Sequence, residues 1–264
     1  FLPEYLKRAG YITAHFGKWG EGWTPDQRTY MRGYQEAGAL GGGYQHKDAW
    51  FDMTGKLEQK KGWTVDVISD MTIDFIQRQS TSKKPWYAIT AFISPHSPWE
   101  CDSKYSLPLE KKGYTKPLAA LYGMIHQMDD AIGRILRELK QSGQMENTIV
   151  IFVSDNGPTP KCKLTGGTPE SSPDWKKRNP LGLTGKKSMV WQNALRVPFL
   201  VRWPEKIPAG QRSQFGTYED ILPTILDCVG VPDSIVPDHL PLHGISLKPV
   251  LFDRKAPEQE RYVY

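Results

Sequence analysis

Apolar positions along the chain follow two rhythms. Between Leu118 and Leu139 they recur at Leu121, Ile125, Met128, Ile132, Ile135 and Leu136, the three-to-four spacing of a helix with one buried face. Val65, Ile68, Met71, Thr72, Phe75 and Ile76 repeat the same spacing and predict a helix over 65–79. A short helix is predicted over Leu2–Ala9, closed by Gly10, and another over Tyr218–Val229. The other rhythm is a continuous apolar or β-branched run, found at Tyr11–Phe16, Trp86–Ile93, Thr148–Val153 and Val197–Arg202, and it predicts strands buried on both faces. Helices alternating with such strands imply an α/β fold with a mainly parallel central sheet covered by helices on both faces.

Two stretches carry neither rhythm. Gly38–Gln45 (GALGGGYQ) has turn chemistry and no period, so it reads as loop. Gly157–Pro180 is rich in Pro, Gly and Ser and too long for a simple connector; loops of that length inside compact domains are usually functional or disordered.

In open α/β sheets ligands sit beyond the carboxyl ends of the strands. Here those ends read Gly17-Lys18, Ser94-Pro95-His96 and Asp155-Asn156, with Gly185-Lys186-Lys187 ahead of the last strand. Asp155 and Asn156 offer hard oxygen donors suited to Ca²⁺ or Mg²⁺ rather than zinc. Asp-Asn-Gly is equally a common turn former, and two oxygens do not fill a six- to eight-coordinate shell, so other carboxylates would have to join them. His96 lies between Pro95 and Pro98, which stiffen its loop and would fix the imidazole's direction, although a lone surface histidine has the same sequence. Lys18 and Lys187 read as solvated lysines or as cations of a site. Lys18 follows directly on a buried run, a poor place for a lysine whose only role is solubility.

Composition narrows the classes. The 264 residues are 39% hydrophobic and 24% charged, ordinary for a globular protein and enough for one large α/β domain or two small ones. The net charge of +5 suits a small anionic substrate and is too dispersed for nucleic acid. No apolar run approaches bilayer length. Cys101, Cys162 and Cys228 form no CxxC pair and no zinc spacing. Phe1 opens straight into a predicted helix without an initiator Met or a basic leader, so the chain reads as starting mid-domain.

Several segments together resemble one family. LKRAGYITAHFGKWG is similar to a Leu-x-x-Ala-Gly-Tyr-x-Thr-x-x-x-Gly-Lys-Trp signature, FISPHSP to a Pro-His-x-Pro loop, and YGMIHQMDDAIGRILRELKQSGQMENTIVIFVSDNG to a long helix followed by a metal-binding strand. GLTGKKSMVWQNALRVPFLVRWP, DILPTILDCVGV and LHGISLKPVL continue the likeness in order along nearly the whole chain. These segments resemble the type I, formylglycine-dependent sulfatases of the alkaline-phosphatase-like superfamily.

The resemblance implies that Asp155 and Asn156 bind a divalent cation, typically calcium with magnesium as the alternative. Lys187 would contact a sulfate oxygen, with neighbouring Lys186 an open alternative. His96 would hydrogen-bond the ester oxygen and help the alcohol leave, and Lys18 would lie near the nucleophile and orient it. It also implies a sulfated small molecule or carbohydrate as substrate, a formylglycine-generating enzyme as partner, and a periplasmic, secreted or lysosomal location. Two departures stand out. Gly20 occupies the position where many members carry His after Gly-Lys-Trp. No Cys or Ser of the chain lies in a Cys/Ser-x-Pro/Ala-x-Arg motif, so the formylglycine nucleophile is not encoded here.

Residues 1–264 therefore read as one sulfatase-like catalytic domain lacking its nucleophile strand and most of a C-terminal subdomain. Alone it is expected to be inactive, with unpaired strand edges and an exposed core face. A non-catalytic sulfatase-like binding protein and a phosphoesterase of the same superfamily are the alternatives.

Overall fold

The computed structural model describes residues 1–20, 22, 24–41, 43–159, 173–236 and 242–261. Helix α1 (Leu2–Arg8) ends as its sequence predicts. Gly10 takes φ 89° and its amide reaches back to the Lys7 carbonyl, while Tyr11 N–H donates to Leu6 O, so the last turn's carbonyls are satisfied. The chain then enters β1 (Ile12–Gly17), buried from Thr13 onward, which pairs in parallel with β2 (Glu36–Leu40) on one side and β5 (Trp86–Ala91) on the other. Beyond β2 lie β3 (Trp50–Met53) and β4 (Lys56–Gln59), both antiparallel to their neighbours, giving the order β4-β3-β2-β1-β5.

Helix α2 (Thr64–Gln79) sets Ile68 and Phe75 against Ala14, Phe16 and Phe51 of the sheet, all fully buried, and this cluster is the main core. Each such aromatic or aliphatic side chain contributes about 1.5–3 kcal/mol by leaving water. Helix α3 (Ser103–Lys111) and the long α4 (Lys116–Gln141) pack on each other, and α4 also packs on α2. A separate antiparallel pair follows, β6 (Val150–Val153) with β7 (Phe199–Arg202). The smaller helices are α5 (Pro173–Arg178), α6 (Gln192–Leu195), α7 (Ile221–Val229) and α8 (Lys248–Phe252).

The α/β architecture and all four periodic helices are present. Three features differ from the sequence reading. Gly38–Leu40, read as loop, forms the end of β2; a side chain at Gly38 would stand 2.5 Å from Met71 Sδ, so this glycine serves close helix-on-strand packing rather than a turn. The sheet is mixed, because β3 and β4 form an antiparallel ribbon whose short strands carry no β-branched residue, and β6 and β7, read as strands of the central sheet, form the separate antiparallel pair instead. Finally, β5 and β6 are half-exposed along most of their length instead of buried. They face each other across a cleft of about 1810 Å³, walled by Ile125, Met128 and Ile132 of α4 and by Leu222 and Ile225 of α7. Of the Gly157–Pro180 stretch, 160–172, with Cys162, lies outside the described residues, and 173–178 is α5. Cys101 and Cys228 are free thiols. Among the described residues no helix is long and apolar enough to cross a membrane.

Candidate active site

The carboxyl ends of β1, β5 and β6 open onto one end of this cleft. At the end of β1, Gly17 adopts φ 107°, and a side chain there would lie 2.0 Å from the Ala91 carbonyl oxygen. Only glycine lets β1 approach β5 so closely. The next amide, Lys18 N–H, donates to Ala91 O at 2.7 Å and completes the ladder, after which the lysine side chain leaves the sheet. Its Nζ stands 3.1 Å from Asp155 Oδ2, joining the first sheet to the tip of β6. Beneath it His15 is almost wholly buried, set edge-on to Trp19 and Tyr34, and its Nδ1 has no hydrogen-bond partner. Burial pushes its pKa down to about 4, so it is neutral.

At the tip of β6 the chain is clamped against the turn before β7. Gly157 N–H donates to Ala194 O at 2.8 Å, and a side chain on Gly157 would stand 1.8 Å from Asn193 O. Asn156 Nδ2 donates to Gly157 O at 2.8 Å, which leaves Oδ1 as the atom free to accept or to ligate. Tyr218 donates its hydroxyl hydrogen to Ser154 O, and burial together with the Asp155 charge pushes its pKa up to about 12. Asp155 and Asn156 thus offer a carboxylate and an amide oxygen, donors of the type calcium and magnesium prefer. Among the described residues no group of three or more His, Cys, Asp or Glu side chains is placed to hold a metal, so this pair supplies only part of a shell.

After β5, His96 N–H donates to Ile93 O at 2.8 Å and its Nδ1 lies 2.6 Å from Ser97 O. A carbonyl oxygen only accepts, so Nδ1 carries the hydrogen and Nε2 is the nitrogen left for a ligand. Lys187 is anchored by its own amide, which donates to Pro158 O at 2.9 Å, and the preceding turn is pinned by buried Asn193 through Gly185 O and the Thr184 carbonyl. Lys18, His96, Asp155, Asn156 and Lys187 all line the one cleft; Lys186 does not, whereas Arg196 does.

Three neighbours went unread in the sequence. Tyr44 stacks on His96, His46 is buried with its pKa lowered by that burial and by the charge of nearby His96, and Tyr218 donates to the β6 tip. The first two sit in the glycine-rich stretch read as loop or directly after it; their only signal was an aromatic and an imidazole in a segment with no period.

The family model described as Sulfatase matches residues 1–231. The chain is 26% identical over 290 residues to a protein of Escherichia coli K12 named "Uncharacterized sulfatase YdeN", covering 99% of this chain and 48% of the relative. It is 29% identical over 277 residues to the mouse N-acetylgalactosamine-6-sulfatase, covering 96% and 50%. A crystal structure of Ps i-CgsB in complex with k-i-k-neocarrahexaose superposes with a TM-score of 0.79 at 25% identity, over 95% of this chain and 57% of that one. The chain thus spans about half the length of the curated relatives it matches. With its fold, its ordered motifs and this match over most of its length in agreement, the chain belongs to the sulfatase family.

Proposed function

We propose that the cleft is the sulfate-ester site of a sulfuric ester hydrolase acting on an O-sulfate of a carbohydrate or aryl alcohol. The observation that carries this reading is the meeting of Lys18 and Asp155, 137 residues apart, at the mouth of a cleft that His96 and Lys187 also line. The names of the relatives, which include an N-acetylgalactosamine-6-sulfatase and a complex with k-i-k-neocarrahexaose, favour a sulfated sugar.

A sulfate ester presents negative oxygens and a poor leaving group. Lys187 and Lys18 bring fixed positive charge to the sulfate oxygens, and preorganised charge of this kind is commonly the largest contribution to such a reaction. His96, its Nδ1 held by Ser97 O, presents Nε2 to the ester oxygen and gives a proton to the alcohol as the S–O bond breaks. Asp155 and Asn156 would hold a calcium or magnesium ion, which supplies further positive charge at the sulfate when bound. The nucleophile is assigned to a formylglycine carried by polypeptide outside residues 1–264, made by a formylglycine-generating enzyme. A periplasmic, secreted or lysosomal location belongs to the same reading.

The test compares 4-nitrophenyl sulfate with 4-nitrophenyl phosphate, using the longest polypeptide that contains these residues. Faster cleavage of sulfate is expected. Faster cleavage of phosphate would make the protein a phosphoesterase. Calorimetric binding of a sulfated sugar without turnover would make it a binding protein.

A further inference from the structure

We propose that Tyr44, on the loop between β2 and β3, is a positioning residue that holds the imidazole of His96 in the orientation from which Nε2 meets the ester oxygen. This rests on the sulfatase reading for its chemistry, but the clamp itself is geometric.

Two constraints define the direction of an imidazole, the plane of the ring and its rotation within that plane. The Tyr44 ring lies on the His96 ring with centroids 3.7 Å apart and planes 14° from parallel, which sets the first. The Nδ1–H bond to Ser97 O sets the second. The same Tyr44 ring has the Lys18 ammonium 6.0 Å from its centroid. One aromatic face system therefore borders both the proton donor and a cation of the site, and such faces favour positive charge beside them.

A positioning group must itself be fixed. The loop is riveted to the start of α2: Thr64 Oγ1 donates to Gln45 O at 2.7 Å and Thr64 N–H to His46 O at 2.8 Å. Asp48 N–H donates to Gly62 O and Gly62 N–H to Asp48 Oδ1, both at 2.8 Å, and Lys47 bridges to Trp63. Since α2 anchors the main core, these bonds tie the loop to it. Tyr44 is 44% exposed and adds little to that core, so its role separates from stability.

The experiment has two arms. In the first, NMR of residues 1–264 follows the His96 ring protons. The wild type is expected to show an upfield ring-current displacement that Tyr44→Leu abolishes and Tyr44→Phe keeps; a His96 signal indifferent to Tyr44→Leu overturns the proposal. In the second, the longest polypeptide that contains these residues is assayed on aryl sulfates whose leaving phenols span a range of acidity. Acidic phenols leave without help and basic ones need the proton. Tyr44→Leu should therefore cost about tenfold more in kcat on the most basic phenol than on 4-nitrophenol, a fraction of the roughly 10²–10⁴-fold that acid–base catalysis supplies. KM should stay nearly constant, with partial recovery in Tyr44→Phe. An equal loss on every leaving group, or none, overturns the positioning role. A wild type without turnover refutes the sulfatase reading instead, and the first arm then decides the clamp.

Discussion

Lys18 Nζ lies 3.1 Å from Asp155 Oδ2, so two residues 137 positions apart form the one ion pair that ties the end of β1 to the tip of β6 among the described residues. The pair is solvent-accessible, with 33% and 64% of the two side chains exposed, so its contribution to stability is about 0–1 kcal/mol. Lys18→Ala is therefore expected to leave the melting temperature within about 4 °C of wild type, by the usual scaling for a chain of this size. Under the proposed function the same change lowers kcat/KM for an aryl sulfate by about 10²-fold, the loss usual for one group that stabilises developing charge. A melting point that falls in step with activity would make Lys18 structural.

Removing metal should act through the β6 tip. Calcium titration of the longest available polypeptide is expected to show a site that EGTA empties with loss of turnover. Asp155→Ala should weaken it by at least the roughly 10–100-fold typical of groups that merely support a ligand. Asn156→Ala, which removes a neutral donor, should weaken it less than Asp155→Ala. Calcium affinity equal in all three proteins would show that the ion is held elsewhere.

Gly157 sits where its backbone crosses the turn before β7, and any side chain there would meet Asn193 O at 1.8 Å. The contact is with backbone, which cannot swing aside. Gly157→Ala should destabilise the protein by about 2–4 kcal/mol, above the common range for point substitutions. It should also displace Asn156, which donates to the Gly157 carbonyl, and so reduce activity and metal affinity together. Urea midpoints of the two proteins measure the first effect; a shift within experimental error would contradict the close approach.

Acid should weaken the fold through the buried histidines. His15 is held neutral down to about pH 4, whereas an unfolded histidine takes its proton near 6.5. As the pH falls through 6.5 the unfolded chain binds a proton that the folded chain refuses, so stability declines until about pH 4 and then levels, a loss of about 3 kcal/mol. His46, whose pKa is also lowered chiefly by burial, adds in the same direction. Urea unfolding at several pH values should trace this slope, and His15→Gln, which cannot titrate, should flatten it. A profile unchanged by the substitution would mean that His15 is protonated in the native state.

Much of the architecture was legible because it rests on local rules. The 3.6-residue repeat from Leu118 to Leu139 could be nothing but a long one-sided helix, and α4 spans it. Gly10 marked a helix end that its positive φ confirms. Gly38 misled, since a glycine chosen for room against Met71 is written with the same letter as one chosen for a turn. The antiparallel ribbon β3–β4 was missed because Trp50–Met53 and Lys56–Gln59 are short and weakly patterned, and are held as strands by pairing to β2 and to each other rather than by propensity.

The sequence by itself determined which residues carry chemistry at strand ends, because a buried run that stops at Lys18, His96 or Asp155-Asn156 must leave those side chains at the edge of the sheet. It determined the family as well, through motifs kept in order. Only the tertiary structure decided that Lys18 touches Asp155, that Lys187 rather than Lys186 lines the cleft, and that Tyr44 stacks on His96. Those contacts join segments tens to more than a hundred residues apart. No local pattern encodes them, because they arise only when the parallel pairing of β1 with β5 and the anchoring of the 44–48 loop on α2 bring distant backbone to one place.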